Sequence, residues 1–237
     1  MQTTQLSGTT SARLNNTAVQ LAPTVTTASS SAPHYSLSLH SPDHPHRAQI
    51  EDYIARRYAR RHQASIEHYM PHLLALEDAQ RTRAVLGMNS ADKQALFLEC
   101  YLDKPVEQAI SQQLNTPVDR AKVVEIGNLA ASQRAASHLL FTLLSALLDR
   151  AGYRWLVFTA TPCVRSLVEN MGFTLHTIGE AKAERMSSSS NWGSYYETHP
   201  QVMVGCIDDA MRKALSPATK SLLTPYQPAI NAIADSV

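Results

Sequence analysis

Residues 122–173, KVVEIGNLAASQRAASHLLFTLLSALLDRAGYRWLVFTATPCVRSLVENMGF, carry strand, helix, strand and helix signals in succession, and they constrain the fold more than any other stretch. Lys122 to Ile126 is short and β-branched, with the polar Glu125 inside it, and Gly127-Asn128 interrupts the pattern. From Ser137 to Leu148 apolar residues follow almost without a gap, and Gly152 stops that helix as a C′ glycine does. Trp155 to Thr159 reads as a second strand. Pro162 suits the first turn of the next helix, which Met171-Gly172-Phe173 ends. Two strands joined by such a helix predict a right-handed crossover and parallel pairing. Ligands of this unit sit beyond the carboxyl ends of its strands. That places Glu125, Gly127, Asn128, Thr159, Ala160 and Thr161 around one opening. The first turn of the long helix, Gln133 to Ser137, aims unpaired N–H groups at the same place, which suits a pyrophosphate. The spacing fits an α/β core without a ligand equally well.

The flanking segments extend this unit into a sheet. Arg47 to His62 has helical spacing and bears Arg56, Arg57, Arg60 and Arg61 near its end. Ala64 to Tyr69 is extended. Leu73 to Glu77 and Arg83 to Met88 form a hairpin around the turn DAQRT. Leu96 to Tyr101 is apolar with Glu99 embedded. Asp103 and Pro105 then start a helix that runs to Leu114, with Asp103 as the cap. After Phe173, Thr174 to Ile178 and Val202 to Ile207 are strands. A polar connection with a four-serine run and the aromatic patch Trp192-Gly193-Ser194-Tyr195-Tyr196 lie between them. The expectation is an α/β protein of one domain, an open mixed sheet with helices on both faces, spanning 46–215. Residues 1–45 are Ser- and Thr-rich and almost uncharged, so burial cannot offset their ordering entropy and they read as a disordered tail. Residues 216–237, with Pro217, Pro225 and Pro228, read as a loosely held tail.

Composition removes several functions. Lys+Arg 21 against Asp+Glu 20 gives no global nucleic-acid signal. Cys100, Cys163 and Cys206 form no CxxC pair, so neither a zinc knuckle nor a disulfide framework is expected. Cys163 stands at a helix start, where a thiolate is favoured, but no His or acid is adjacent in sequence. His40, His44 and His46 fit a solvated loop better than a metal site. The N-terminus shows no basic segment followed by an apolar core, and the run Leu139 to Leu148 is far shorter than a bilayer span, so the expected compartment is the cytoplasm. The arginine cluster reads as a solvated face or as a docking face for an acidic carrier protein, a phosphate or a membrane surface.

The order of elements resembles the GNAT acyltransferase fold, with Val123 to Gly127 as its splayed strand, Gln133 to Ser137 as its pyrophosphate turn and Gly172-Phe173 before its last hairpin. GNAT enzymes carry Gln/Arg-x-x-Gly-x-Gly/Ala at that turn, whereas Gln133-Arg134-Ala135-Ala136-Ser137-His138 has no glycine. Acyl-homoserine-lactone synthases share the broad fold without those glycines and take acyl chains from a carrier protein. A closer resemblance is to the thermostable hemolysin family. It rests on Tyr69-Met70-Pro71-His72-Leu73-Leu74, Leu96-Phe97-Leu98-Glu99-Cys100-Tyr101-Leu102-Asp103, Pro105-Val106-Glu107, Val124-Glu125-Ile126-Gly127-Asn128-Leu129-Ala130, Phe158-Thr159-Ala160-Thr161 and the Trp192 patch. That family name reports lysis, not a mechanism. The resemblance implies a GNAT-like fold with acyl-transfer machinery.

Acyl transfer to a small amine, from acyl-CoA or acyl carrier protein as donor substrate and with no permanently bound cofactor or metal, needs a base, donors for the thioester oxygen and a leaving thiolate. Glu125 and Glu99 are the candidate bases, since burial raises a carboxyl toward a useful range. Either could instead pair with an arginine in the core. Backbone groups near Gly127, Asn128, Leu129 and Ala130 are candidates to polarise the carbonyl, with Gln133, Arg134, Thr159 and Thr161 also on the donor side. Tyr196 or Tyr195 is the candidate acid for the thiolate, and Trp192 and Tyr195 are placed on the acceptor. The competing expectation is direct membrane lysis, which needs an exposed amphipathic element. Ser137 to Leu148, apolar all round, belongs in a core instead. A soluble enzyme with a surface-active acyl-amine product would account for lysis without a pore, and a non-catalytic GNAT-like binding protein is the remaining alternative.

Overall fold

The computed structural model describes residues 35–237 apart from 80, 187–190 and 215. The tail expected at 1–45 lies outside the described residues up to 34, and so does the four-serine run. Seven strands form one sheet in the order β1-β2-β3-β4-β5-β7-β6. They are β1 Ser36–His40, β2 His72–Glu77, β3 Thr82–Ser90, β4 Val123–Ala131, β5 Trp155–Ala160, β6 Leu175–Glu180 and β7 Gln201–Cys206. The pair β4–β5 is parallel, as its helix connection requires, and the other neighbours are antiparallel. The fold is GNAT-like, a mixed sheet with helices on both faces.

Strand alternation divides the core. Leu74, Leu76, Val124, Ile126, Leu156 and Phe158 pack on α3 (Arg134–Arg150), whose Leu140, Phe141, Leu144 and Leu147 are buried. On the opposite face, Leu73, Ala75, Val85 and Ala130 meet Ile50 and Ile54 of α1 (Arg47–His62). Farther along that face, Val123, Trp155 and Val157 meet Leu98 and, from α2 (Val106–Leu114), Ile110. Helix α4 (Pro162–Glu169) follows β5, and α5 (Ile207–Ala214) follows β7. No helix among the described residues is long and apolar enough to cross a membrane.

Four expectations need correction. Ser36–His40, placed in the disordered tail, pairs with β2, because Tyr35, Leu37 and Leu39 alternate onto the α3 core. The C-terminal segment is not loose: α6 (Pro217–Leu223) and α7 (Gln227–Ala234) form, and Leu223, Ile230 and Ile233 are buried in the same core. Its prolines stand in first helical turns, where the missing N–H costs nothing. Gly127-Asn128 does not end β4 but forms a bulge, since Val85 pairs with Ala130 while Gly87 pairs with Gly127. Asp103 does not cap α2. It pairs with Arg185, and the Glu99 carboxylate accepts the Val106 N–H at 2.9 Å instead.

Candidate active site

The bulge opens the sheet. Strand β4 pairs with β5 only from Val123 to Ile126, opposite Trp155 to Phe158. Beyond that, β4 stays on β3 while Thr159 and Ala160 stay on β7. Asn128 sits in the bulge at φ 49°, a left-handed conformation that Asn tolerates. Its side-chain oxygen accepts the Met70 N–H at 2.9 Å and its amide donates to the His68 carbonyl at 3.3 Å. These bonds lay Met70 across both strands. A Cβ at Gly127 would stand 2.5 Å from Met70 Cε, and one at Gly87 would stand 2.7 Å from Met70 Cβ. A cavity of about 950 Å³ occupies the split, with walls from both sides of the sheet. Ile126, Phe141, Phe158 and Leu167 make an apolar wall. Tyr58, Phe97, Trp192 and Tyr195 make an aromatic one.

The two acids inside apolar runs have different fates. Glu125 is 2% exposed and lines the cavity. Its oxygens accept the Phe97 N–H at 2.7 Å and the Leu98 N–H at 2.9 Å, which pins the 3-10 turn Phe97–Tyr101 to β4. Burial pushes its carboxyl up to about 8, against the pull of the two N–H donors, and nearby Glu99 adds to the rise. Glu99 accepts from the Leu96 and Val106 N–H groups and holds Arg120 by two bonds of 2.7 and 2.9 Å. The Arg120 hydrogen bond holds it down at about 2, although burial opposes this. Glu99 does not line the cavity. It is an ionised clasp for the turn and α2, not a base.

The aromatic wall is docked by backbone. Ser194 donates its N–H to the His62 carbonyl at 2.8 Å, and Ser65 donates to the Asn191 carbonyl at 2.7 Å. Gly193 lies at φ 50°, and a Cβ there would be 2.0 Å from the His62 oxygen, so only glycine fits. The Trp192 ring then stands 6.2 Å from Phe97 and 6.4 Å from Tyr58. Its indole N–H is buried without an acceptor among the described residues, and a buried donor left unpaired costs about 1–3 kcal/mol in a protein interior. Burial pushes the Tyr195 hydroxyl well above its ordinary range, and its weak contact is the Thr159 carbonyl at 3.5 Å.

The structure gathers most, not all, of the residues singled out from the sequence. Glu125, Gly127, Asn128, Leu129, Ala130, Thr159, Thr161, Trp192 and Tyr195 line the cavity. Thr161 also caps α4 through the Val164 N–H. Tyr196 does not line it. Its hydroxyl bonds Tyr101 at 2.5 Å, and Tyr101 is the one of the two on the wall. Gln133 and Arg134 are exposed at the uncapped start of α3, and Ser137 is the residue of that turn that reaches the wall. The arginines separate: Arg57 and Arg61 line the cavity, while Arg56 is exposed and pairs with Asp52. Cys163 is exposed at the rim. His40 Nδ1 lies 3.0 Å from His44 Nδ1, yet no three metal-ligating side chains converge among the described residues. Sequence reading missed Tyr58, His62, Met70 and Phe141. The first two share the helical face of Arg57 and Arg61, a signal available in the spacing.

Solved structures share the fold. The fold matches the AHL synthase LasI with a TM-score of 0.52 at 8% identity, over 77% of this chain and 95% of that one. It matches FeeM, an N-acyl amino acid synthase from uncultured soil microbes, with a TM-score of 0.53 at 14% identity, over 77% and 96%. It matches the CoA-dependent acyl-homoserine lactone synthase BjaI, solved with MTA, with a TM-score of 0.51 at 11% identity, over 78% and 91%. The chain therefore shares its overall fold with these synthases. Comparison with curated protein sequences yields no match. The thermostable hemolysin model matches residues 40–211, and the chain belongs to that family.

Proposed function

We propose that the chain is an N-acyltransferase that moves an acyl group from an acyl thioester to a small amine. The observation that carries this reading is the cavity in the β4–β5 split, apolar on its Phe141 and Phe158 wall and bordered by the buried Glu125. The fold shared with acyl-homoserine lactone and N-acyl amino acid synthases supports it. The apolar wall takes the acyl chain and the split takes the thioester arm. The amine nitrogen attacks the thioester carbon, a C–N bond forms, and the C–S bond breaks. Glu125 accepts the amine proton, directly or through water, on a lone pair not used by Phe97 or Leu98. Backbone N–H groups of the bulge around Leu129 hold the oxyanion. The departing thiolate takes a proton from the Tyr195 hydroxyl. The donor is acyl-CoA or an acyl carrier protein, the latter docking on the exposed Arg56 and Arg60 of α1.

The test incubates purified protein with long-chain acyl-CoA or acyl carrier protein and a pool of amines. Thiol release and a new amide mass in step are expected. Thioester left intact by the folded protein with every amine contradicts the reading.

A further inference from the structure

The cavity wall carries cations without a counter-charge. Arg57 and Arg61 stand one turn apart on α1 and both line the cavity. Arg47 and Arg56 of the same helix pair with Glu51 and Asp52, whereas Arg57 and Arg61 have no acidic partner among the described residues. The bond that Arg57 makes goes to the neutral carbonyl of Ala131. Glu125 is the acid on the wall, and it is committed to two backbone N–H groups. To these cations the structure adds the buried N–H of Trp192, which has no partner among the described residues. The Trp192 ring packs on Tyr58 of the arginine-bearing helix and on Phe97, the residue whose N–H holds Glu125. A partly buried cation and an unpaired donor on one wall are both satisfied by an anionic acceptor of hydrogen bonds.

Two parts of the reactants can supply such an anion: a phosphate on the donor, or a carboxylate on an acceptor that bears one. In a phosphopantetheine thioester the whole pantetheine arm separates the phosphate from the reacting carbonyl. Trp192, by contrast, is joined to Glu125 through the single residue Phe97, beside the point where the amine must lose its proton. Resting on the acyl-transfer reading above, we propose that the acceptor is an amine that also bears a carboxylate, an amino acid or close analogue, its carboxylate held by Arg57, Arg61 and the Trp192 N–H. The bonds made and broken are those already given, and the carboxylate passes through unchanged. The product is an N-acyl amino acid, an anionic amphiphile.

The test needs no turnover. Of the two tryptophans, Trp155 is 7% exposed in the core, so a ligand-induced change in emission reports Trp192. Full-length protein is titrated with glycine, L-serine, L-leucine and L-phenylalanine, with their carboxylate-free amine counterparts, and with 4′-phosphopantetheine. At least one amino acid is expected to bind about tenfold or more tighter than its amine, and Arg61→Gln, an exposed position, to remove that preference. Amines binding as well as amino acids, no amino acid binding, or an unchanged preference in Arg61→Gln overturns the proposal. So does Arg61-dependent binding confined to 4′-phosphopantetheine, which gives the cations to the donor. Carboxylate preference without any amide product would leave this site standing and remove the acyl-transfer reading.

Discussion

Glu99 and Glu125 look alike in the sequence, each a single acid in an apolar run, and one 3-10 turn touches both. Glu99 lies where Arg120 and two N–H groups converge, away from the cavity. Glu125 lies where the same turn begins, on the cavity wall and without a cation. The first region is held by charge, so its carboxyl sits at about 2. The second is held by neutral donors in a dry site, so its carboxyl sits at about 8. A buried acid becomes a clasp or a base according to the cation beside it, not according to its sequence neighbours.

Substitutions can break this comparison. The largest effect is expected from Glu125→Gln, with amide formation falling about 100-fold or more. Initial rates per folded molecule check it, and a rate near wild type would remove Glu125 as the base. Glu99→Ala is expected to cost about 1–3 kcal/mol, because the Leu96 and Val106 N–H groups lose their acceptor while Arg120 keeps Glu107. Urea titration measures that loss, and the rate of the remaining folded protein should stay near wild type. A lost rate in a fully folded Glu99 variant would reverse the two roles.

The pH dependence sharpens the contrast, because the signs are opposite. Glu99 is depressed from 4.5 to about 2, so its contribution is complete above 4.5 and lost as pH falls toward 2. Glu125 is raised from 4.5 to about 8, so stability tied to it is complete below 4.5 and declines as pH rises toward 8. Its base form gathers through the same pH, so the amide-forming rate should climb around pH 8. Thermal unfolding of the wild type against Glu99→Gln and Glu125→Gln from acid to mildly alkaline pH separates the two slopes. Gly193→Ala forces a side chain at φ 50° against the His62 carbonyl and should cost about 1–3 kcal/mol with loss of activity as the aromatic wall undocks. Tyr196→Phe, which removes one hydroxyl bond outside the cavity, should cost only about 0.5–1.5 kcal/mol by the same urea titration and spare the rate.

The central unit was legible because its signals are local. Helix punctuation by Gly152, Pro162 and Gly172 and strand alternation gave β4, α3, β5 and α4, and with them the opening that holds Glu125, Thr159 and Thr161 together. What local patterns do not carry is long-range. Leu37 and Leu39 form a strand only because β2 offers an edge, and Ile230 and Ile233 are ordered only because α3 offers a face. The role of Glu99 depends on Arg120, and that of Tyr196 on Tyr101, partners set by the fold. Gly127-Asn128 read as a break because a bulge and a strand end share their residue types.

Acyl transfer in the β4–β5 split is tested most directly by mass spectrometry of lipid extracts from cells expressing wild type, Glu125→Gln or an empty vector. The large exposed apolar side chains among the described residues are Phe97 and Leu222, a thin basis for insertion into a bilayer. A new acyl-amine is expected with wild type alone, its mass giving both halves of the reaction. No new lipid with wild type, together with dye release from liposomes by the purified protein, would contradict it and make lysis a direct act of the chain.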